Sequence, residues 1–226
     1  MTFNKKLAIA KLSIALATAS LVAPFAAQAQ SSPMNWNGFY AGVNAGGLWQ
    51  SPSAAIGENN TGGGFSGSGG GFVGGAQAGY NYMFGPVLLG GEIDFQGSTL
   101  NTGISGGAGA SSITGQSSMP WFSTFRARVG YPVGSVMPYV TGGAVWGQQN
   151  LSGYDSANGG SFSASSTFWT YAAGAGVEGR IADHWTAKLE YLYIGTPSTP
   201  LSTPATTSIS ETAGGNMVRV GLNYHF

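Results

Sequence analysis

The sequence predicts an all-β fold, an eight-stranded antiparallel up-and-down transmembrane β-barrel. Apolar and polar residues alternate in runs of about 10 to 13 residues, which is long enough for a tilted strand to cross a bilayer. Long connections rich in Gly, Ser and Thr take turns with short ones. Only 7% of the residues are charged, whereas about 25% is typical of soluble domains. A soluble surface of this composition would be poorly solvated.

The start of the chain is predicted to be an export signal. A lysine-containing stretch leads into the apolar segment Leu12–Phe25, and Ala27–Ala29 has the small-x-small pattern of a cleavage site. A membrane anchor would need about 20 uninterrupted apolar residues, and Pro24 shortens this segment. The predicted domains are therefore a cleaved signal peptide over 1–29 and one barrel domain over 30–226.

Charge and composition exclude several classes of function. Beyond residue 29 the chain has five basic and eight acidic residues, so no basic patch indicates a nucleic-acid partner. Cysteine is absent, which excludes disulfides and thiolate metal sites. His184 and His225 are the two histidines, too few for an all-histidine metal site. No cofactor, metal ion or catalytic residue is therefore predicted.

The eight strands are predicted from period-two alternation bounded by turn residues. The third strand alternates strictly: Leu89, Ile93 and Phe95 share one face, while Glu92 and Asp94 lie on the other. The fourth, sixth, seventh and eighth strands show the same pattern. In chain order the predicted strands are 37–49, 72–83, 86–96, 119–131, 137–147, 167–179, 185–195 and 216–226.

The lengths of the connections predict which of them lie on the same side of the membrane. Three are short hairpin turns: Met83–Pro86, Pro132–Val136 and Arg180–His184. Four are predicted to be long structureless loops of about 20 residues each, a length that is uncommon inside compact soluble domains: 50–71, 97–118, 148–166 and 196–215. This alternation is typical of outer-membrane barrels, whose long loops are extracellular and whose inner turns are short.

Eight charged residues lie in the predicted strands, and none of them shares a face with the apolar residues. We call them the lumen network: Glu92, Asp94, Arg126, Arg128, Glu178, Lys188, Glu190 and Arg219. A lysine or arginine that faces lipid at mid-bilayer costs about 2–4 kcal/mol. The charges are therefore predicted to face the lumen, where glycines on the same face leave room for them, and the apolar face is predicted to face lipid.

The lumen network is predicted to have a structural role. Because antiparallel neighbours at matched height form cross-strand pairs, we expect the carboxylates of the third strand to bind the arginines of the fourth. Lys188 is expected to reach Glu178 across the intervening turn, and Arg219 is expected to reach Glu190. Buried charges are tolerated when they are paired in this way.

Six segments together resemble the small outer-membrane β-barrel family of Gram-negative bacteria, which includes porin-like proteins and immunogenic surface antigens with a barrel like those of OmpA and OmpX. They are "WNGFYAGVNAGG" (Trp36–Gly47), "GAQAGYNYMFGPVLLGGEIDF" (Gly75–Phe95), "FRARVGY" (Phe125–Tyr131), "PYVTGGAVWG" (Pro138–Gly147), "AGAGVEGRIADHWTAKLEYLY" (Ala173–Tyr193) and "VRVGLNYHF" (Val218–Phe226).

The resemblance implies an outer-membrane protein with a structural or surface role: envelope integrity, antigen display or adhesion. It is also compatible with a narrow passive pore. It implies contact with outer-membrane lipid and lipopolysaccharide, and with host or environmental ligands through the long loops. It also implies that the barrel assembly machinery recognises the last strand, with Tyr224 and Phe226 as the assembly signal.

Two alternatives belong to other classes of function. Some eight-stranded outer-membrane barrels modify lipid A and need a histidine near the outer leaflet. Here His184 and His225 are both predicted at the inner end, so the sequence favours a protein that is not an enzyme. The second alternative is a secreted, soluble ligand-binding barrel, which would point its apolar face inward.

Overall fold

The computed structural model describes residues 35–57, 63–108, 111–155, 159–195, 208–212 and 214–226. The predicted signal peptide lies outside these ranges. None of the described ranges contains a helix with the length and hydrophobicity needed to cross a bilayer.

Ten β-strands are described. They are β1 (Gly38–Gln50), β2 (Ser53–Gly57), β3 (Gly63–Phe84), β4 (Val87–Ala108), β5 (Ser111–Gly130), β6 (Val136–Asp155), β7 (Gly160–Arg180), β8 (Trp185–Ile194), β9 (Ser208–Thr212) and β10 (Gly215–His225).

Eight of these strands close into a ring. From β3 to β8 each strand pairs antiparallel with the next, β8 pairs with β10, and β1 pairs with both β10 and β3. The closing pair matches Tyr40 with His225 and Gln50 with Gly215. The two short strands, β2 and β9, pair with each other beside β3. The predicted eight-stranded antiparallel barrel is confirmed.

The three predicted short turns are also confirmed. Gly85 and Pro86 separate β3 from β4, residues 131–135 separate β5 from β6, and residues 181–184 separate β7 from β8. Gly85 and Gly134 have φ angles of 60° and 62°, in the left-handed region that glycine adopts without steric cost. The three turns lie at the end of the barrel where β1 begins and β10 ends.

Three of the predicted long loops are wrong. Residues 97–118 contain the end of β4 and the start of β5, and residues 148–166 contain the end of β6 and the start of β7. Residues 50–71 contain β2 and the start of β3. Ladder hydrogen bonds need only backbone groups, so Ser, Thr and Gly continue the hairpins without the alternation that lipid contact imposes. Of the predicted loop 196–215, residues 196–207 and 213 lie outside the described part, and β9 falls in the remainder.

The extended hairpins project well beyond a membrane. β4 has 22 residues, which at about 3.3 Å per residue make a strand about 70 Å long. A tilted strand crosses a bilayer with about 9–11 residues. Register shifts separate the membrane-crossing part of the strands from the extended hairpin. They lie between Gly97 and Leu100 in β4 and between Ser118 and Trp121 in β5. Pro120, which has no N–H for the ladder, lies at this bulge, where proline is tolerated.

Candidate functional site

The two faces of the barrel differ in the way that strand alternation predicts. On β8, Leu189 is 56% exposed on the outer surface, whereas the next residue towards the turn, Lys188, is 2% exposed in the lumen. All eight members of the lumen network are buried. Four are acidic and four are basic, so the formal charges of the network cancel.

Arg126 lies at the centre of the lumen network. Its guanidinium donates to Glu190 Oε1 at 2.8 Å and to Asp94 Oδ2 at 3.0 Å, and it also contacts Glu92 Oε1. The remaining donor, Nε, bonds to Thr124 Oγ1 at 2.8 Å. Arg126 therefore joins two carboxylates of the neighbouring strand β4 to one carboxylate of β8 across the lumen.

Arg219 bonds to two of the same carboxylates from β10. Its Nε donates to Glu190 Oε2 at 2.6 Å, and its second terminal nitrogen donates to Asp94 Oδ2 at 2.9 Å. The pair of Arg219 with Glu190 is the one that strand neighbours predict. The contact with Asp94 crosses the lumen, and it was not predicted.

The predicted pair of Lys188 with Glu178 is wrong. The two residues are in register, but Lys188 Nζ donates to both carboxylate oxygens of Glu92, each at 2.8 Å. Glu178 instead accepts from Arg128 at 2.8 Å. In a narrow barrel a long side chain reaches the opposite wall, so cross-lumen partners compete with cross-strand neighbours.

Two tyrosines complete the carboxylate shell. Tyr40 donates to Glu92 at 2.8 Å, and Tyr139 donates to Glu190 at 3.1 Å. Glycine makes room for both rings: a Cβ atom on Gly176 would lie 2.6 Å from the Tyr139 ring, and one on Gly79 would collide with the Tyr40 hydroxyl. Sequence reasoning missed these tyrosines, although each has the parity of the lumen-facing residues on its strand.

A chain of amides extends the network towards β1. Asn44 Nδ2 donates to Gln77 Oε1 at 2.9 Å, and Gln77 Nε2 donates to Asn223 Oδ1 at 2.5 Å. Asn223 Nδ2 then donates to Glu178 Oε1 at 2.8 Å. These bonds join β1, β3, β10 and β7, so polar contacts connect the strand pair that closes the ring to the rest of the lumen.

Two apolar layers enclose the lumen network. The inner layer, next to the short turns, contains Trp36, Leu88, Met137 and Tyr139. The outer layer contains Leu48, Val73, Leu100, Phe122, Val145, Phe168, Ala172, Leu192, Ile194 and Met217. Sequence reasoning missed the outer layer, but its signal was present, because Phe122 has the parity of Arg126 and Leu192 has the parity of Glu190.

The histidines lie at the inner end of the barrel. His225 is buried, with Nε2 3.2 Å from Thr186 Oγ1 and 3.4 Å from Glu178 Oε1, and its ring stacks on Tyr40 at 5.4 Å. His184 is exposed in the turn before β8. In the described ranges, no cluster of His, Asp and Glu has a metal-binding arrangement.

The predicted assembly-signal residues lie on the outer surface where the ring closes. Tyr224 packs edge-to-face against Trp185 at 5.2 Å and against Phe226 at 5.3 Å. The Phe226 N–H donates to the Phe39 carbonyl of β1 at 3.0 Å. The last residue therefore extends the pairing between β10 and β1.

Comparisons with known proteins agree with this architecture. A family model described as "Outer membrane protein beta-barrel domain" matches residues 13–226. The 31 kDa outer-membrane immunogenic protein of Brucella melitensis is 34% identical over an alignment of 241 residues, which covers 98% of this chain and 100% of the relative. The 22 kDa outer membrane protein of Rhizobium leguminosarum bv. viciae is 30% identical, with 69% of this chain and 67% of the relative covered.

Among solved structures, Neisserial surface protein A (NspA) matches with a TM-score of 0.40 and 15% identity, covering 83% of this chain and 97% of NspA. The family match and the relatives confirm the predicted location in the outer membrane, and they overturn the alternative of a secreted soluble barrel. The chain belongs to the outer-membrane protein β-barrel family.

Proposed function

We propose that this protein is a structural outer-membrane barrel with a closed lumen, which supports the envelope and displays its extended hairpins at the cell surface. The observation that carries the proposal is the lumen network, buried and charge-balanced between two apolar layers. The contacts of this network join opposite walls of the barrel and fill its lumen with side chains.

The closed lumen favours a plug over a narrow pore. An eight-stranded barrel is only wide enough to be filled by side chains or to hold one small ligand. A hydrated ion would have to pass the side chains of the outer layer, such as Phe122 and Leu192, which are both fully buried. It would then have to separate Arg126 and Arg219 from carboxylates that they bind at 2.6–3.0 Å.

The proposed surface role belongs to the extended hairpins of β4–β5 and β6–β7 and to the outer end of β3, which pairs with β2. Long connections of outer-membrane barrels are extracellular, so these hairpins would be accessible from outside the cell. The relatives from Brucella are named as immunogenic proteins, which supports display of an antigenic surface here as well. Adhesion to host or environmental ligands would use the same hairpins.

The proposed role is not enzymatic. His225 contacts Glu178 and Thr186 under the inner apolar layer, where Trp36 packs against its ring at 6.0 Å. His184 lies in a turn at the inner end, one bilayer away from lipid A of the outer leaflet. Neither position suits a general base that acts on that lipid.

Assembly is proposed to depend on the last strand. The β-barrel assembly machinery would read the outward-facing aromatics Tyr224 and Phe226 before β10 pairs with β1. Their packing on one outer face of β10, together with the Phe226 bond to Phe39, supports this proposal.

Conductance of the refolded, mature protein in planar bilayers tests the closed lumen. We expect no steps above the membrane baseline, with a known porin in the same bilayers as the positive control. Refolding is verified by the shift of the gel band on heating in SDS. Steady ohmic conductance from the folded fraction would show an open path and overturn the proposed plug.

A further inference from the structure

The outer surface of β4–β7 changes its chemistry at one height. A cluster of stacked rings, which we call the aromatic band, crosses these four strands. Trp146 lies 5.0 Å from Trp121 and 6.0 Å from Trp169, and Phe95 lies 5.9 Å from Trp121. Girdles of this kind mark the membrane interface, and because the band lies towards the extended hairpins, it marks the outer one.

Two rows of uncharged polar residues lie directly beyond the aromatic band. The first register row is Asn101, Ser118, Asn150 and Ser165. The second is Gln116, Ser152 and Ser163. We call these seven residues the amide–hydroxyl surface.

Hydrogen bonds show that this surface and the aromatic band share the outer face. The Trp121 indole N–H donates to Gln148 Oε1 at 2.8 Å. Gln148 Nε2 donates in turn to Ser165 Oγ at 2.9 Å and to Asn150 Oδ1 at 3.3 Å. A polar side chain therefore connects the rings to the first row without passing through the sheet.

The amide–hydroxyl surface forms a depression of about 300 Å³, at the lower end of the volumes of small-molecule sites. Gln116 and Asn101 are exposed at its edge, and Asn150 is half-buried. Carboxamides and hydroxyls both donate and accept hydrogen bonds. Besides the apolar side chains of Leu151 and Ala164, the depression is therefore lined by groups that complement the hydroxyls of a sugar.

The distribution of charge excludes phosphate as the group recognised here. Beyond residue 29 the chain has five basic residues. Four of them belong to the buried lumen network, and the fifth, Arg180, lies at the inner turn, where it binds Asp183. The extracellular hairpins therefore contain no cationic side chain that could bind a phosphate.

We propose that the amide–hydroxyl surface binds uncharged sugar residues of the glycolipid that surrounds the barrel in the outer leaflet. The surface faces outward from the barrel wall, and it begins where the aromatic band ends. That is the depth at which the acyl chains of such a glycolipid give way to its saccharide. The inference relies on the outer-membrane location of the protein and not on the closed lumen.

The test uses the mature protein refolded in phosphatidylcholine vesicles. Tryptophan fluorescence is followed during titration with dephosphorylated core oligosaccharide released from lipopolysaccharide. We expect a saturable change, because Trp121 donates to Gln148, which in turn donates to Asn150 and Ser165 of the depression. Truncating two amides in the double variant Gln116→Ala/Asn150→Ala should weaken the affinity about tenfold, since hydrogen bonds from both amides to the sugar are lost.

A matched variant, Asn35→Ala, removes an exposed amide at the inner end of the barrel and should bind like the wild type. The gel shift on heating verifies that each variant is folded, and Gln116→Ala alone replaces the double variant if that one does not fold. Equal affinity of the wild type and the folded variant would overturn the proposal. A response to lipid A without core sugars, or to inorganic phosphate, but none to the oligosaccharide, would overturn it as well.

Discussion

Truncation of Arg126 to alanine tests the structural role of the lumen network most directly. The change removes the guanidinium that binds Glu190, Asp94 and Glu92. Thr124 also loses the hydrogen bond that it accepts from Arg126. The lumen would then hold four carboxylates and three cations. Because the remaining members of the network are buried, the excess negative charge stays in a medium of low dielectric constant.

The magnitude follows from the contacts that remain. Removing one partner of a buried ion pair typically costs about 3–5 kcal/mol. Lys188 still binds Glu92 at 2.8 Å. Arg219 still binds Asp94 and Glu190, at 2.9 Å and 2.6 Å. Since every carboxylate keeps a cation, we expect the free energy of unfolding to fall by about 3 kcal/mol, at the lower end of that range.

The assay is urea unfolding of the refolded protein in lipid vesicles, followed by tryptophan fluorescence, with the slope against urea concentration held as a check on two-state behaviour. Arg180→Ala is the matched control, because Arg180 lies outside the lumen network and pairs with Asp183, whose side chain is 93% exposed. A pair with one solvated partner is expected to contribute less than a fully buried one. If Arg126→Ala lowered stability no more than Arg180→Ala, the lumen network would not be what stabilises the barrel.

Three further predictions concern pairing, orientation and assembly. In double-mutant cycles, Lys188 should couple to Glu92 by about 0.5–3 kcal/mol, and less to Glu178; a stronger coupling to Glu178 would restore the cross-strand pair over the cross-lumen one. A fluorophore at Leu189 should be quenched by lipid-borne quenchers and one at Lys188 should not. The reverse result would show that the charged face contacts lipid and the apolar face lines the lumen. Deletion of Phe226 should reduce the heat-modifiable fraction in outer membranes while leaving total synthesis unchanged, and normal assembly would argue against its role as a signal.

Sequence reasoning succeeded where one physical constraint acts on each residue alone. Lipid on one side forces alternation, so Leu189 and Lys188 could be placed on opposite faces from parity. The short turns were predictable for the same reason, because Gly85 and Pro86 interrupt that alternation. The extended hairpins lack this constraint because their outer face lies beyond the hydrocarbon. Ser, Thr and Gly there satisfy the ladder without leaving an alternating pattern.

Sequence reasoning failed where the position of a side chain depends on the far wall of the barrel. Parity placed Lys188 in the lumen, but only the closed ring brings its ammonium to Glu92 rather than to Glu178. Barrel diameter and strand stagger together decide this distance, and neither can be read from neighbouring strands. The outer apolar layer is a different case. The parity of Phe122 places it in the lumen, but the lumen was expected to contain polar side chains, so the layer was not predicted.

The order of the layers explains how four carboxylates can be kept away from water at all. Charges removed from water are stabilised only if their partners are close and their remaining hydrogen-bonding sites are filled. The two tyrosines Tyr40 and Tyr139 donate to the carboxylates that Arg126 and Lys188 bind. Two apolar layers, on the inner and the outer side of the network, cover these contacts. In the proposed closed lumen, stability and impermeability to ions would therefore depend on one arrangement of side chains.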